Sequence, residues 1–292
     1  MSKSECPGPR ADEIERRARI SRLQFQRLRK QRIAARQIAF ENFLRDRAVQ
    51  HVFPKQAPDL ANPNGDTDNP KDVSARLFAH PFKGSGVQAL EGLGAGLAGS
   101  YGGRTGSPTN QNLPAGFRTM SQATFFSYSG TAYAAGPQWR LNPQAMYYYG
   151  PLGVLGEYVL EQQDVKNAGN ETALHNDAWM AVATYVLTGE NASFDGVRPH
   201  RDFDPKNGHW GAFELASRYD VLNVDKNAFP NFASASSSAH SAREAVIGLN
   251  WYLNYNVKFN IDYAYTTFDG GAAGGLDRRP ESVLMSRAQF RY

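Results

Sequence analysis

The stretch AVIGLNWYLNYNVKFNIDYAYTT, residues 245–267, sets the fold. Ala245, Ile247, Leu249, Trp251 and Leu253 fall on every second position, backed by Glu244, Gly248, Asn250 and Tyr252. After Asn254-Tyr255-Asn256 the rhythm resumes in Val257, Phe259, Ile261, Tyr263 and Tyr265, backed by Lys258, Asn260, Asp262 and Thr266. A period of two belongs to a strand, because successive side chains leave opposite faces. Two such runs across an Asn-rich turn predict a β-hairpin. Each run is about ten residues long, the length of a tilted strand crossing a bilayer.

The same rhythm spreads outward from this hairpin. Leu93, Ala95, Leu97, Gly99 and Tyr101 share one face, and Gly94, Gly96, Ala98 and Ser100 the other. Trp139, Leu141, Pro143, Ala145, Tyr147 and Tyr149 alternate with Arg140, Asn142, Gln144, Met146 and Tyr148. Val154, Gly156, Tyr158 and Leu160 lie opposite Leu155, Glu157, Val159 and Glu161. Trp179, Ala181, Ala183, Tyr185 and Leu187 form a further apolar face, and Phe213, Leu215, Ser217, Tyr219 and Val221 another, opposite Glu214, Arg218 and Asp220. A half-buried strand of a soluble sandwich alternates equally well. Across about ten strands, two further features favour a membrane barrel. Short connections near Gly150 and Asn254 contrast with long polar ones expected at 162–176, 189–209, 223–241 and 268–281, and Tyr and Trp recur at strand ends, where a headgroup-level girdle wants them.

Bulk properties agree. Aromatic residues make up 12% and Gly numbers 27, a mixture suited to strands and tight turns. Mean hydropathy is −0.54, which a wall alternating between lipid and water produces by construction. No run approaches the ~18–20 apolar residues of a spanning helix. The single Cys6 permits no internal disulfide and no CxxC metal site. The six His show no metal-binding spacing, and His200 and His209 read as solvated loop residues. No cofactor, metal ligand set or catalytic constellation is expected: no GxSxG elbow occurs, and Glu157 with Glu161 reads as a mixed-charge wetted wall. Gly94, Gly96 and Gly99 spell GxGxxG, but no helix is predicted to follow, so they read as strand positions in a crowded lumen. The Asn170 and Asn191 acceptor motifs read as plain loop residues.

The chain divides near residue 60. Residues 1–50 hold 13 Lys and Arg against 6 Asp and Glu, and the remainder 19 against 22, so the net charge of +4 belongs to the N-terminal part. Residues 1–59 therefore read as a basic segment, helical or disordered and possibly foreign to the barrel. Without aromatic interleaving or a binding module this run is a solvated helix more readily than a nucleic-acid arm, and no nucleic-acid partner is expected. It carries no secretory-signal pattern. A truncated or frame-disrupted reading frame is one expectation from that. Residues 60–72, LANPNGDTDNPKD, form a loop without the Gly and Glu spacing of a calcium site, and residues 60–292 the barrel part.

The last residues, SVLMSRAQFRY, put Leu284, Ser286, Ala288, Phe290 and Tyr292 on one face and Met285, Arg287, Gln289 and Arg291 on the other. Outer-membrane barrels resemble this at their final strand, although Phe is their usual last residue. The stretches SARLFAHPF (74–82), LGAGLAGSYG (93–102), WRLNPQAMYYYGPLGVLGEYVL (139–160), YVLTGENASF (185–194), FDPKNGHWGAFELASRY (203–219) and GLNWYLNYNVKFNIDYAYTTFDGG (248–271) resemble, in order, the phosphate-selective porins O and P. The resemblance implies an all-β antiparallel transmembrane barrel in the outer membrane of a Gram-negative bacterium. It also implies a homotrimer if complete, bathed in outer-membrane lipid and passing phosphate or other small anions, with no enzymatic activity. It further implies that the constriction loop and much of the basic ladder lie in an amino-terminal half beyond this chain. The inward cations expected to carry an anion pathway are Arg76, Arg140, Arg218, Lys258 and Arg287, with Arg291 near the rim. Each could instead pair across strands with Glu157, Glu214 or Asp262. About ten strands are too few for the roughly 16–18 of a porin, so the chain alone is not expected to form a stable pore. Alternatives are a truncated, non-functional fragment and a soluble carbohydrate-binding β-sandwich.

Overall fold

The computed structural model describes residues 72–291 except Pro230. The basic segment and most of the linker, hence the readings of 1–59 and 60–71, lie outside the described residues. What is described is one antiparallel sheet. Its strands are β1 (Val73–Ala79), β2 (Leu93–Thr105), β5 (Tyr133–Tyr149), β6 (Leu152–Asn167), β7 (Asn170–Val186), β8 (Ala212–Asn223), β9 (Ala239–Tyr252), β10 (Val257–Gly270) and β11 (Glu281–Phe290). The order is β1-β2-β5-β6-β7-β8-β9-β10-β11, so each strand pairs with its nearest sequence neighbour in the sheet. A small second pair, β3 (Phe117–Arg118) with β4 (Thr124–Phe126), lies in the long connection between β2 and β5. Nine strands among the described residues form this sheet, in keeping with the expected ten or so, and β1 and β11 do not pair with each other, so the described sheet stays open.

Register fixes two faces. Leu141 opposes Leu160, Trp179 opposes Val221, Leu249 opposes Ile261, and Phe259 opposes Ala288, all on the outer face. On that face Leu97, Leu141, Val154, Leu215, Ile247, Leu249, Ile261 and Leu284 remain exposed. No second layer of described residues covers them. Tyr101, Tyr158, Trp179, Tyr219 and Tyr265 border this belt on one side, and Tyr149, Tyr185 and Phe290 on the other. The aromatic bands and bare apolar belt are what lipid contact demands, and a soluble sandwich would bury such a face.

The inner face is packed at one end. We call the end where β11 finishes the lower end and the opposite one the upper end. The β2–β5 connection, residues 106–132, folds over the upper part of the inner face and places Phe117, Phe125 and Phe126 in a buried cluster. Val165 of β6, Leu174 and Ala178 of β7, Leu222 of β8, Ala242 of β9 and Phe268 of β10 converge on the same cluster. Phe126 is fully buried, stacks on Phe117 at 5.4 Å and meets Phe229 edge-on at 6.0 Å. The infolding of this connection was not anticipated from the sequence.

Two other expectations change. Residues 162–176 are not a loop. β6 and β7 run through them and turn at Ala168-Gly169, where φ is positive at both positions (48° and 90°), the geometry of a tight hairpin turn. The alternation reverses phase there: Val165 and Leu174 point inward under the loop, while Lys166 and Glu171 pair outside at 3.3 Å. Beyond the belt the outside is water, so the polar residues move outward. Connection lengths also fail to sort by end. The lower end carries 150–151 and 253–256 but also the long 80–92 and 187–211, and the upper end carries the two-residue turn with 106–132, 224–238 and 271–280. The 187–211 segment is long because it is a packed element. Its Ala192 N–H donates to Gly150 O (2.7 Å) and its Phe203 N–H to Leu253 O (2.6 Å). Val186, Ala192, Val197, Ala212 and Tyr252 bury one another beneath it.

Candidate anion pathway

The strand period places Arg76, Arg140, Arg218, Lys258 and Arg287 on the inner face, and Arg291 just past β11. They do not form one uniform row. Arg76, on edge strand β1, donates from Nη2 to Gln144 Oε1 at 2.6 Å. Its guanidinium also lies 5.4 Å from the Phe78 ring centre. The glycines beneath it have a packing role, since a Cβ on Gly96 would stand 2.4 Å from the Phe78 ring. Arg140 opposes Glu161 directly in register and forms an ion pair with it at 2.7 Å, to which Gln138 adds a 2.8 Å hydrogen bond.

Arg218 is sealed. Its Nε meets Asp220 Oδ2 at 2.7 Å and its Nη2 meets Glu244 Oε1 at 2.7 Å, with the side chain only 4% exposed. Thr266 and the backbone N–H of Met120, from the infolded loop, donate to the other Glu244 oxygen. A buried Arg with two carboxylates is a wall fastener, so its expected place in the pathway is corrected. Cross-strand pairing therefore joins Arg140 to Glu161 and Arg218 to Glu244, while Asp220 meets Arg218 from two residues along the same strand.

Lys258 lies 5.4 Å from the Tyr252 ring centre and Arg291 5.0 Å from that of Tyr255. Arg287 opposes Asn260 in register. The charges thus separate by burial. Among inner-face acids of the described strands, Glu161, Glu214, Asp220 and Glu244 are buried. Glu281 is engaged by Arg278 and by the loop hydroxyls of Thr119 (3.0 Å) and Ser121 (2.9 Å). Glu157 and Asp262 are half-buried. Among the inner-face cations of the described strands only Arg218 is buried, while Arg76, Arg104, Arg140, Lys258 and Arg287 reach water, Arg104 beside Asp72 at 3.8 Å. By the same measure Glu157, Asp262 and Glu281 also reach water, so on the described strands the accessible cations of this face outnumber its accessible acids by a small margin although the total is not positive.

The sequence reading missed the infolded residues. Phe117, Phe125, Phe126 and Tyr128 crowd into an otherwise Gly-, Ser- and Asn-rich stretch, and that concentration of aromatics was the available signal. Burial pushes the Tyr128 hydroxyl well above its ordinary pKa, with the Glu161 charge adding to it. In the lower segment, burial disfavours the charged form of Glu190. Hydrogen bonds from the Thr188 hydroxyl and the His200 N–H outweigh this and hold its carboxyl below the ordinary value. Among the described residues no cluster of His, Cys, Asp and Glu could hold a metal ion.

A family model described as phosphate-selective porin O and P matches residues 62–292. Porin O of Pseudomonas aeruginosa is 27% identical over 168 residues, covering 51% of this chain and 34% of that relative. The match therefore spans about a third of the relative's length.

Proposed function

Since this chain belongs to the phosphate-selective porin O and P family, we propose that its sheet is one arc of an outer-membrane channel wall that passes small anions. The observation that carries this reading is the division of one sheet into a bare apolar belt outside and a polar face inside with more water-accessible cations than acids. An anion entering such a space exchanges part of its hydration for Arg and Lys, and several moderate sites in series let it leave again. The 106–132 and 187–211 segments fold inward from opposite ends and narrow that space. Phosphate is the permeant the family description suggests. Proton transfer and covalent chemistry have no part in it, so the protein acts as a passive channel and not as an enzyme.

Free edges at β1 and β11 leave backbone N–H and C=O groups that lipid cannot satisfy. Closure calls for further strands, and a homotrimer of closed barrels in Gram-negative outer-membrane lipid is the assembly we expect. The test is a reversal potential on the assembly extracted in mild detergent from membranes that contain this chain, under a KCl gradient. The sign of chloride over potassium is expected. A potassium-selective potential contradicts the reading.

A further inference from the structure

At the lower end, where β11 finishes, two guanidinium groups share one aromatic ring. Arg198, in the packed 187–211 segment, lies 3.8 Å from the ring centre of Tyr255, and Arg291 lies 5.0 Å from it. Tyr255 sits in the turn between β9 and β10, and the Arg291 N–H donates to Asn256 O at 2.8 Å, which holds the chain after β11 beside that turn. The two ring distances keep the guanidinium carbons within about 9 Å of each other, so two positive charges concentrate at one point of the rim. Both arginines are exposed. Among the described residues neither forms an ion pair with a carboxylate, although Asp195 and Asp202 are close to Arg198 in sequence. Like charges so placed repel, and a stacked ring relieves only part of that. Just inside the rim Lys258 and Arg287 add positive charge on the inner faces of β10 and β11, where Asp262 and Glu281 are the acids and Glu281 is engaged at the far end.

We propose that Arg198 and Arg291, splayed on Tyr255, form a binding site for a phosphate-class oxyanion at the lower mouth. The site rests on the reading of the protein as an anion channel and names a stopping point for the ion at one entrance. The Tyr255 ring fixes where the two forks stand, so little side-chain freedom is lost on binding. A phosphate oxygen pair facing each guanidinium gives charge-assisted hydrogen bonds on two sides.

The test uses the assembly extracted in mild detergent from membranes that contain this chain, with inorganic phosphate as the probe, followed by phosphorus NMR line width. Saturable broadening is expected with the unaltered chain, and R198Q and R291Q each weaken binding about tenfold. R198K keeps the charge without the fork and falls between. Y255L releases both arginines and also weakens binding, while unchanged circular dichroism shows that the sheet survives in every variant. Phosphate binding that is absent, or equal in R198Q, R291Q and the unaltered chain, overturns the site. Anion-selective conductance persisting alongside that result leaves the channel reading standing, whereas intact binding with cation-selective conductance leaves the site and removes the channel reading.

Discussion

Two patches of the same inner face, one beneath the infolded loop and one at the β10–β11 corner, put the same kind of residue to different uses. Under the loop, Arg218 is closed in by Asp220, Glu244 and Met120. At the corner, Arg287 is half-buried and faces Asn260, with Lys258 near the aromatic rim. Both arginines satisfy the same strand period and both follow the same sequence rule for a wetted wall. What separates them is cover: the first has lost water and is committed to carboxylates, the second keeps access to water. A count of inward arginines therefore overstates the charge that water reaches on this face.

The sharpest way to break this contrast is to remove each arginine in turn. Arg218→Met leaves two buried carboxylates without their cation and is expected to lower stability by about 3–5 kcal/mol in denaturant unfolding of the assembly extracted in mild detergent. Arg287→Met is expected to cost less than about 1 kcal/mol in the same assay. Equal losses would mean that cover does not distinguish them. Next in size is the cover itself. Phe126→Ala empties a fully buried ring site and should cost about 3 kcal/mol. It should also make residues 106–132 open to limited proteolysis, and an uncut loop would show that the Phe cluster does not hold it.

A smaller effect concerns the lower segment. The Glu190 carboxyl is held below its ordinary value, so its contribution is complete above the unfolded pKa of about 4.3 and fades as pH falls through the lower folded one. Backbone amides of 188–200 are expected to lose protection from hydrogen exchange at pH 3 relative to pH 6, after correction for intrinsic rates. Thr188→Ala should move that loss to higher pH. Protection independent of pH would show that apolar contacts around Val197 hold the segment without Glu190.

The outer face was legible because one physical rule governs every residue on it. Leu249, Ile261 and Leu284 face lipid wherever they occur along the belt, so period and exposure coincide. The rule stops at the edge of the belt. Gln163, Val165 and Leu174 stand inside under the loop, with Lys166 and Glu171 outside in water, and the inverted phase disguised two strand ends as a polar loop. The pathway was legible only as a set of inward positions. Glu161 lies 21 residues from Arg140 and Glu244 lies 26 from Arg218, separations that depend on hairpin register and carry no local signature. Arg198 was missed because it lies on no strand, and it reaches Tyr255 only through the folding of its own segment.

The most direct test is a nitroxide scan along β9 and β10 in lipid bilayers, one position at a time from 245 to 265, with Cys6 replaced. Labels at 247, 249, 259 and 261 are expected to be more accessible to oxygen, and those at 246, 248, 260 and 262 to a water-soluble nickel chelate, in strict alternation. A scan in which both sets are equally wetted, or in which 247 and 249 are shielded from oxygen, would contradict a sheet that divides lipid from water.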